Sequence, residues 1–376
     1  MEDPIHRTIR SARHDYDVVV GDGLLADLAA LAAAAGVVRA GAVVSDVTVG
    51  PLWARRAAEC LGAGEPLELP DGEASKRWPQ AEAVLVHLLA RGLHRGDTVV
   101  AVGGGVVTDL VGFAAAIFLR GIDWVAVPTT LLAMVDAAVG GKTGINLEAG
   151  KNLAGAFWPP RLVVADVATL STLPPRELRA GLAEVVKHAW IGDRGLIDLL
   201  EGPITGTSSL PPGRWGDLVA RAVAVKAEVV EADERETGRR AALNLGHTVG
   251  HALESVTGYR RFLHGEAVAW GLLAVAELSL RRGLLSTEAA GRLRAAVAAL
   301  GPLPPVADLS PDRILEHLAR DKKRDDGGVA WVLPTDDGVF LGQRVATGEV
   351  LEVLASLGRM GAGDRPREPA DADGSS

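Results

Sequence analysis

Two rhythms of apolar and polar positions divide the chain. Through the first 174 residues, short β-branched runs alternate with segments of helical spacing. "DVVVGDG" (17–23) reads as a strand and turn, "GAVVSD" (41–46) as a buried strand, and "DTVVAVGGG" (97–105) as a strand running into a glycine turn. "DWVAVPTT" (123–130) and "RLVVADV" (161–167) read as further strands, while "PQAEAVLVHLLARGL" (79–93) carries apolar residues at helical spacing. Short apolar runs separated by helices predict a parallel sheet covered on both faces. Beyond Leu173 and Pro174 the strand rhythm stops. The stretches 175–191, 217–236, 266–283 and 286–300 all have helical period. The expected organisation is an α/β domain over residues 1–174 and a mainly α-helical domain over 175–358. The tail 359–376 is small, charged and Pro-rich, and reads as disordered. A cleft between the sheet half and the helical half is a common place for a ligand pocket.

Composition narrows the function. Hydrophobic residues make up 48% of the 376 and aromatic residues only 4%, so Ala, Val, Leu and Gly must do most of the packing. A net charge of −9 argues against a general nucleic-acid binder, which needs a basic surface. It leaves room for a small anionic substrate in a local basic pocket. Cys60 is the one cysteine, so neither a disulfide framework nor a Cys-rich metal site forms within the chain, which suits a reducing cytoplasm. The N-terminus lacks the apolar core of a signal peptide, and no stretch reaches the roughly 18 uncharged apolar residues of a membrane span.

Three stretches carry candidate chemistry. "VAVGGGVVTDLVGFAA" follows a strand and precedes a helix; its glycines let backbone N–H groups approach a diphosphate, which the helix N-terminus favours. A plain tight turn is the alternative. Asp46, ending an earlier strand, suits either ribose hydroxyls or an ordinary helix cap. In "PTTLLAMVDAAVGGKTGINLEAGKNLAGAFW" (128–158), Lys142 and Lys151 sit beside glycines in a charge-poor connection, with Asn152 as a neutral donor. They suit anion contacts or stand as solvated loop lysines. Third, "LNLGHTVGHALESVTGYRRFLHG" (243–265) places His247, His251 and His264 within 18 residues of a chain with nine histidines. His247 and His251, four apart, share a helix face. Either both bind metal, or one does and the other serves as acid/base. A catalytic metal usually takes three protein ligands, and without cysteine the third must be His, Glu or Asp. Glu184, on an apolar helix, is such a carboxylate; an ion pair with Lys187 at i+3 is its alternative use.

Taken together, the chain resembles the 3-dehydroquinate synthase family. The matching stretches are "DGEASK" (71–76), "GGGVVTD" (103–109), "RGIDWVAVPTTLLAMVD" (120–136), "GGKTGIN" (140–146), "GKNLAGAFW" (150–158), "STLPPRE" (171–177), "GLAEVVKH" (181–188), "LNLGHTVGHALE" (243–254), "LHGEAVAWG" (263–271) and "DKK" (321–323). They run in order over most of the chain. The resemblance implies an N-terminal NAD-binding α/β domain, a helical C-terminal domain and one divalent metal, zinc or alternatively cobalt. By position the metal ligands are Glu184, His247 and His264, leaving His251 for the substrate. NAD contacts fall on Asp46, Asp71, Glu73, Lys76, Gly104, Gly105, Asp109, Thr129, Thr130, Lys142 and Lys151, and on the turn Thr169, Leu170, Ser171 and Thr172. Substrate contacts fall on Asp136, Lys142, Asn152, Lys187, Lys226, Arg240, Asn244, His251 and Lys322. Arg120 would reach a neighbouring subunit's site, which implies a homodimer.

The family's substrate is 3-deoxy-D-arabino-heptulosonate 7-phosphate, a sugar-acid phosphate. Transient oxidation by NAD, phosphate elimination, re-reduction and an intramolecular aldol closure yield 3-dehydroquinate, on the shikimate route to aromatic amino acids. Two departures stand out. Thr108 occupies a position where the family commonly has glycine, and "DAAVGG" replaces "DSSVGG", removing two hydroxyls. Another sugar phosphate cyclase and a metal-dependent polyol dehydrogenase of related fold are the rival readings. Lys226, Arg240, Asn244 and "GKN" favour a carboxylated substrate.

Overall fold

A computed structural model describes residues 3–200, 206–210, 212–321 and 329–360. Nine strands precede residue 160 or lie just beyond it: β1 (Ile5–Ile9), β2 (Tyr16–Gly21), β3 (Ala40–Asp46), β4 (Leu67–Leu69), β5 (Thr98–Gly103), β6 (Asp123–Pro128), β7 (Lys142–Leu147), β8 (Gly150–Phe157) and β9 (Leu162–Asp166). Seven of them form one sheet in the order β1-β2-β9-β6-β5-β3-β4. Every pairing in it is parallel except β1 with β2.

The period of two decides what each strand residue packs against. Val99 and Ala101 of β5 join the core that continues into the helical half. Val100 and Val102 join a second core under the helices Leu28–Ala34 and Arg55–Leu61. Both faces are dry, so β5 reads as an unbroken apolar run. From β3 the chain steps outward to β4, then returns to the other side of β3 for β5, β6 and β9. The order therefore reverses between β3 and β5, and ligands of such sheets bind outside the carboxyl ends of the strands at that point. Asp46 and Gly104 stand there.

The connection over 128–158 is not a plain loop. β7 and β8 form an antiparallel hairpin, Lys142 opposite Phe157 and Leu147 opposite Gly150. Its small and polar residues hid that pairing in the sequence. The second half is mainly helical: Pro175–Ile191, Pro212–Ala232, His247–Val256, His264–Arg281, Thr287–Ala299, Pro311–Asp321 and Thr347–Met360 are its long helices. It also contains a hairpin, β10 (Trp331–Thr335) with β11 (Gly338–Gln343). The last helix runs two residues into the stretch read as tail; the remaining tail residues and Lys322 lie outside the described residues.

Glycine sets how closely these helices approach. A Cβ at Gly265 would collide with the Ala180 carbonyl, and one at Gly271 with the Gly246 carbonyl. Arg176 adds a two-pronged clamp, its Nε and Nη2 donating to Glu266 at 2.7 and 2.8 Å. Glu266 also accepts from Leu263 N at 2.8 Å, capping the helix that begins at His264. These contacts fix His264 against the helix that carries Glu184.

Candidate active site

Glu184 lies mid-helix and fully buried. His247 and His264 are the first residues of their helices and point back to it. Glu184 Oε1 is 3.7 Å from His247 Nε2 and 3.6 Å from His264 Nε2. One ligand atom from each of the three falls within 4.8 Å of the others. Both imidazoles are prepared for ligation. His247 Nδ1 donates to Leu245 O at 3.2 Å, and His264 Nδ1 donates to Glu254 Oε2 at 3.3 Å, because neither oxygen can donate. Each ring therefore turns Nε2 toward Glu184, and in its neutral form offers a lone pair there. Among the described residues Glu184 Oε1 has no hydrogen-bond donor, and Oε2 touches the Lys187 ammonium. The i+3 ion pair and the three-ligand cluster thus coexist. A buried carboxylate with an unsatisfied oxygen facing the Nε2 atoms of two imidazoles is a donor set that suits a divalent cation. Burial, then the Lys187 charge, holds His247 well below the usual histidine range. Burial opposes the charge on His264 too, but the hydrogen bond and charge of Glu254, with Glu184, hold its pKa above the usual value.

His251 is not in this triad. It is exposed, its ring centre 5.4 Å from that of His247 and 6.0 Å from that of His264. The alternative in which both helix histidines bind the same ion with Glu184 is not the arrangement found.

A buried charge cluster adjoins the triad. Asp136 Oδ1 lies 2.7 Å from Lys226 Nζ and 3.6 Å from Lys187 Nζ. Burial works against its charge, but Lys187 and Lys226 outweigh it and hold Asp136 well below the carboxylate range. The two lysines differ for a reason visible in their neighbours. Burial opposes the charge on Lys187, but Asp136 and Glu184 flank it and raise its pKa. Lys226 has Asp136 alone and faces Lys187 and Arg240, so burial pushes it down to about 8. Arg240, 2% exposed, donates to Gly140 O at 3.1 Å and to Glu234 O, while its Nε finds no acceptor among the described residues.

Two carboxylates not foreseen in the sequence complete the picture. Glu236 takes the Lys142 ammonium on one oxygen and Asn244 Nδ2, at 2.9 Å, on the other. Glu254 takes Lys151 Nζ at 2.9 Å besides His264. Glu236 sits in the charge-rich run "EADERE", where nothing marks one acid from its neighbours; Glu254 follows His251 by three residues, a helical spacing that would have put it on the histidines' face.

The expected nucleotide residues gather at the carboxyl ends of β3, β5, β6 and β9. Gly104 caps the helix Gly105–Ile117, and a Cβ on it would press to 3.1 Å from Thr130 Cγ2. Thr129 Oγ1 is buried there without a hydrogen-bond partner among the described residues. Thr108 leaves the turn intact, its hydroxyl donating back to Gly105 O at 3.1 Å. Lys76 Nζ pairs with Asp109 and with Asn152 Oδ1 at 2.6 Å, which ties the glycine-turn helix to the hairpin. Burial, outweighing Lys76, raises the Asp109 pKa. Asp46 Oδ1 accepts from Thr48 N and Val49 N at 2.9 and 2.8 Å, so one of its oxygens is a cap. Asp71 accepts from Thr48 Oγ1, and Glu73 from Asn146 Nδ2, each at 2.7 Å. Thr169, Leu170, Ser171 and Thr172 form a turn just past β9, with Thr172 Oγ1 accepting from Trp53 Nε1 at 2.9 Å. Lys151 stands apart from this group, on Glu254. Arg120 is exposed on a turn beyond the helix Gly105–Ile117.

A glycine turn at a sheet's switch point, facing a Glu/His/His cluster and buried cations on the helical half, defines an α/β-plus-helical enzyme class that pairs a nucleotide with a metal. The comparisons say which. The 3-dehydroquinate synthase N-terminal family matches residues 66–180 and the 3-dehydroquinate synthase C-terminal family residues 181–324. The 3-dehydroquinate synthase of Pseudomonas putida (strain W619) is 46% identical over 321 residues, covering 85% of this chain and 88% of that one. Among solved structures, 2-epi-5-epi-valiolone synthase from Streptomyces hygroscopicus subsp. jinggangensis 5008, with NAD+ and Zn2+ bound, is 32% identical. It aligns with a TM-score of 0.82 over 94% of this chain and 99% of that one. A 2-deoxy-scyllo-inosose synthase complexed with carbaglucose-6-phosphate, NAD+ and Co2+ is 27% identical, with a TM-score of 0.81 and the same two coverages. The chain belongs to the 3-dehydroquinate synthase family.

Proposed function

We propose that the protein converts 3-deoxy-D-arabino-heptulosonate 7-phosphate to 3-dehydroquinate and phosphate, a lyase reaction of the shikimate pathway. The observation that carries this reading is the meeting of Glu184, His247 and His264 beside the buried cations Lys187, Lys226 and Arg240. The triad would hold zinc, or cobalt in its place, and the glycine turn at Gly104 and Gly105 would hold the diphosphate of NAD. When bound, NAD accepts and returns a hydride, and the metal polarises the hydroxyl being oxidised. The chain's own residues do the rest. Lys142, Lys187, Lys226, Arg240 and Lys322 bind and orient the carboxylate and phosphate of a doubly anionic substrate; Arg240 can grip an oxyanion with parallel hydrogen bonds. Asn152 and Asn244 donate as neutral groups. Asp136 holds the ammonium groups of Lys187 and Lys226 in place. His251, exposed beside the triad, exchanges a proton with the substrate through an imidazole nitrogen.

NAD would contact Asp46, Asp71, Glu73, Lys76, Asp109, Thr129, Thr130, Lys142, Lys151 and Thr169 to Thr172. The nucleotide half spans residues 1–174 and the metal half 175–358. The enzyme works as a cytoplasmic homodimer; no helix among the described residues is long and apolar enough to cross a membrane. Support for the dimer comes from the turn that carries Arg120. Leu119 and Arg120 hold left-handed φ values of 51° and 68°, which non-glycine residues adopt at a cost. Ile117, Leu119 and Phe157, 39%, 40% and 44% exposed, offer apolar surface for a second copy to cover.

The test is phosphate release from the heptulosonate phosphate with catalytic NAD and added zinc, while NADH absorbance is followed. Phosphate without net NADH, 3-dehydroquinate as product and loss of activity on chelation are expected. No turnover of this substrate points to another sugar phosphate cyclase. Net NADH from polyols points to a dehydrogenase.

A further inference from the structure

Glu254 is a carboxylate in an unusual position. It is 2% exposed, and its two oxygens serve two different elements. Oε2 accepts from His264 Nδ1 at 3.3 Å, and Oε1 takes Lys151 Nζ at 2.9 Å. Lys151 comes from the hairpin β7–β8, across from the helical half, and its ammonium also lies 4.6 Å from the centre of the Tyr259 ring. Lys151 is thus held between a carboxylate and an aromatic face, and its pairing with Glu254 is not a free surface contact.

The consequence falls on His264. An imidazole pivots about its Cβ–Cγ bond and can exchange its two nitrogens unless one is pinned. Pinned at Nδ1 by a buried acceptor, the ring keeps its proton there and its Nε2 toward Glu184, 3.6 Å from Oε1. His247 needs no carboxylate, because Leu245 O from its own chain turn does the same work. At His264 the acceptor for Nδ1 is the Glu254 carboxylate.

We propose that Glu254 is a positioning residue for His264 as a metal ligand, and that Lys151 holds the Glu254 carboxylate in place from the nucleotide half. This rests on the metal-centred reading above. Partners of this kind typically change metal affinity by about 10- to 100-fold.

The experiment is titration of the full-length chain with Zn2+ in competition with a chromophoric chelator, and with Co2+ followed by its visible absorption. The variants are Glu254→Leu, Glu254→Gln and Lys151→Met. Glu254→Leu removes the acceptor and should weaken Zn2+ by about 10- to 100-fold and shift the Co2+ bands. Glu254→Gln keeps an amide oxygen and should lose less, and Lys151→Met least, each with unchanged circular dichroism. If Glu254→Leu does not fold, the isosteric Glu254→Gln carries the test. Variants that bind both metals as the unaltered chain does, with the same Co2+ spectrum, overturn the inference and leave the metal reading standing. An unaltered chain that binds no Zn2+ overturns both.

Discussion

Lys226 is a buried ammonium that opposes folding at neutral pH, and Lys226→Met exposes this directly. Burial pushes its pKa down to about 8 from 10.5; Asp136, 2.7 Å away, offsets part of that, and Lys187 and Arg240 work in the same direction as burial. The folded pKa lies below the unfolded one. Between about pH 8 and 10.5 the unfolded chain therefore binds more protons than the folded chain, and stability rises with pH across that window. At 1.36 kcal/mol for each pH unit, the gap amounts to roughly 3 kcal/mol that is missing at pH 7 and regained by the top of the window. Methionine has similar length and no charge, so the variant lacks this dependence. Removing one partner of a buried ion pair costs about 3–5 kcal/mol when it leaves the other charge uncompensated; here Lys187 stays beside Asp136, so the pH dependence of the difference carries the test. The assay is urea unfolding of both proteins, free of metal and NAD, at pH 7 and pH 10. The stability of the variant relative to the unaltered chain should fall by roughly 2–3 kcal/mol between pH 7 and pH 10. A difference that stays constant between the two pH values refutes the reasoning. The same substitution should lower phosphate release, because it removes one of the cations proposed to hold the doubly anionic substrate.

Three further outcomes follow from the same geometry. His264→Ala should abolish zinc binding and phosphate release while preserving circular dichroism; full activity after chelation contradicts the metal assignment. Arg240→Ala should raise KM for the sugar-acid phosphate by about two orders of magnitude or more, in line with truncating a buried charged partner. Its NAD affinity, measured by calorimetry, should hold; equal losses on both ligands place Arg240 elsewhere. Gly265→Ala drives a methyl into the Ala180 carbonyl. It should lower stability by about 1–3 kcal/mol and weaken zinc together with it, read from thermal unfolding and metal content.

What was legible in the sequence follows from how many constraints each element satisfies locally. β5 could be read because both its faces are dry and every residue is apolar. β1, largely exposed and pairing with β2 at the sheet edge, carries no such run. β7 and β8 escaped because their partner is each other: Gly144 and Gly155 face across the ladder where a side chain would strike the backbone opposite. Composition there signals a connection, and only the pairing makes a hairpin. Within the site, Glu184 could be singled out as a carboxylate with few charged neighbours along its helix. Asp46 was ambiguous and remains divided, with one oxygen spent as a cap. Glu236 and Glu254 were missed because their meaning comes from lysines more than 90 residues away in the chain.

Those two missed carboxylates explain why neither half of the molecule makes a complete site. Lys142 and Lys151 both leave the hairpin β7–β8 and both end on acids of the helical half, Glu236 and Glu254. Lys76 meanwhile binds the hairpin through Asn152 and the glycine-turn helix through Asp109. The hairpin is therefore tied on one side to the strand ends where the expected nucleotide residues gather, and on the other to an acid that touches His264, the proposed metal ligand. A ligand that drew Lys151 from Glu254 would change the charge that His264 feels, and an ion held by His264 would change how firmly Glu254 grips Lys151. Binding free energies linked in this way are reciprocal. The physical route between the two ends of the site is thus a pair of side chains crossing from one half to the other.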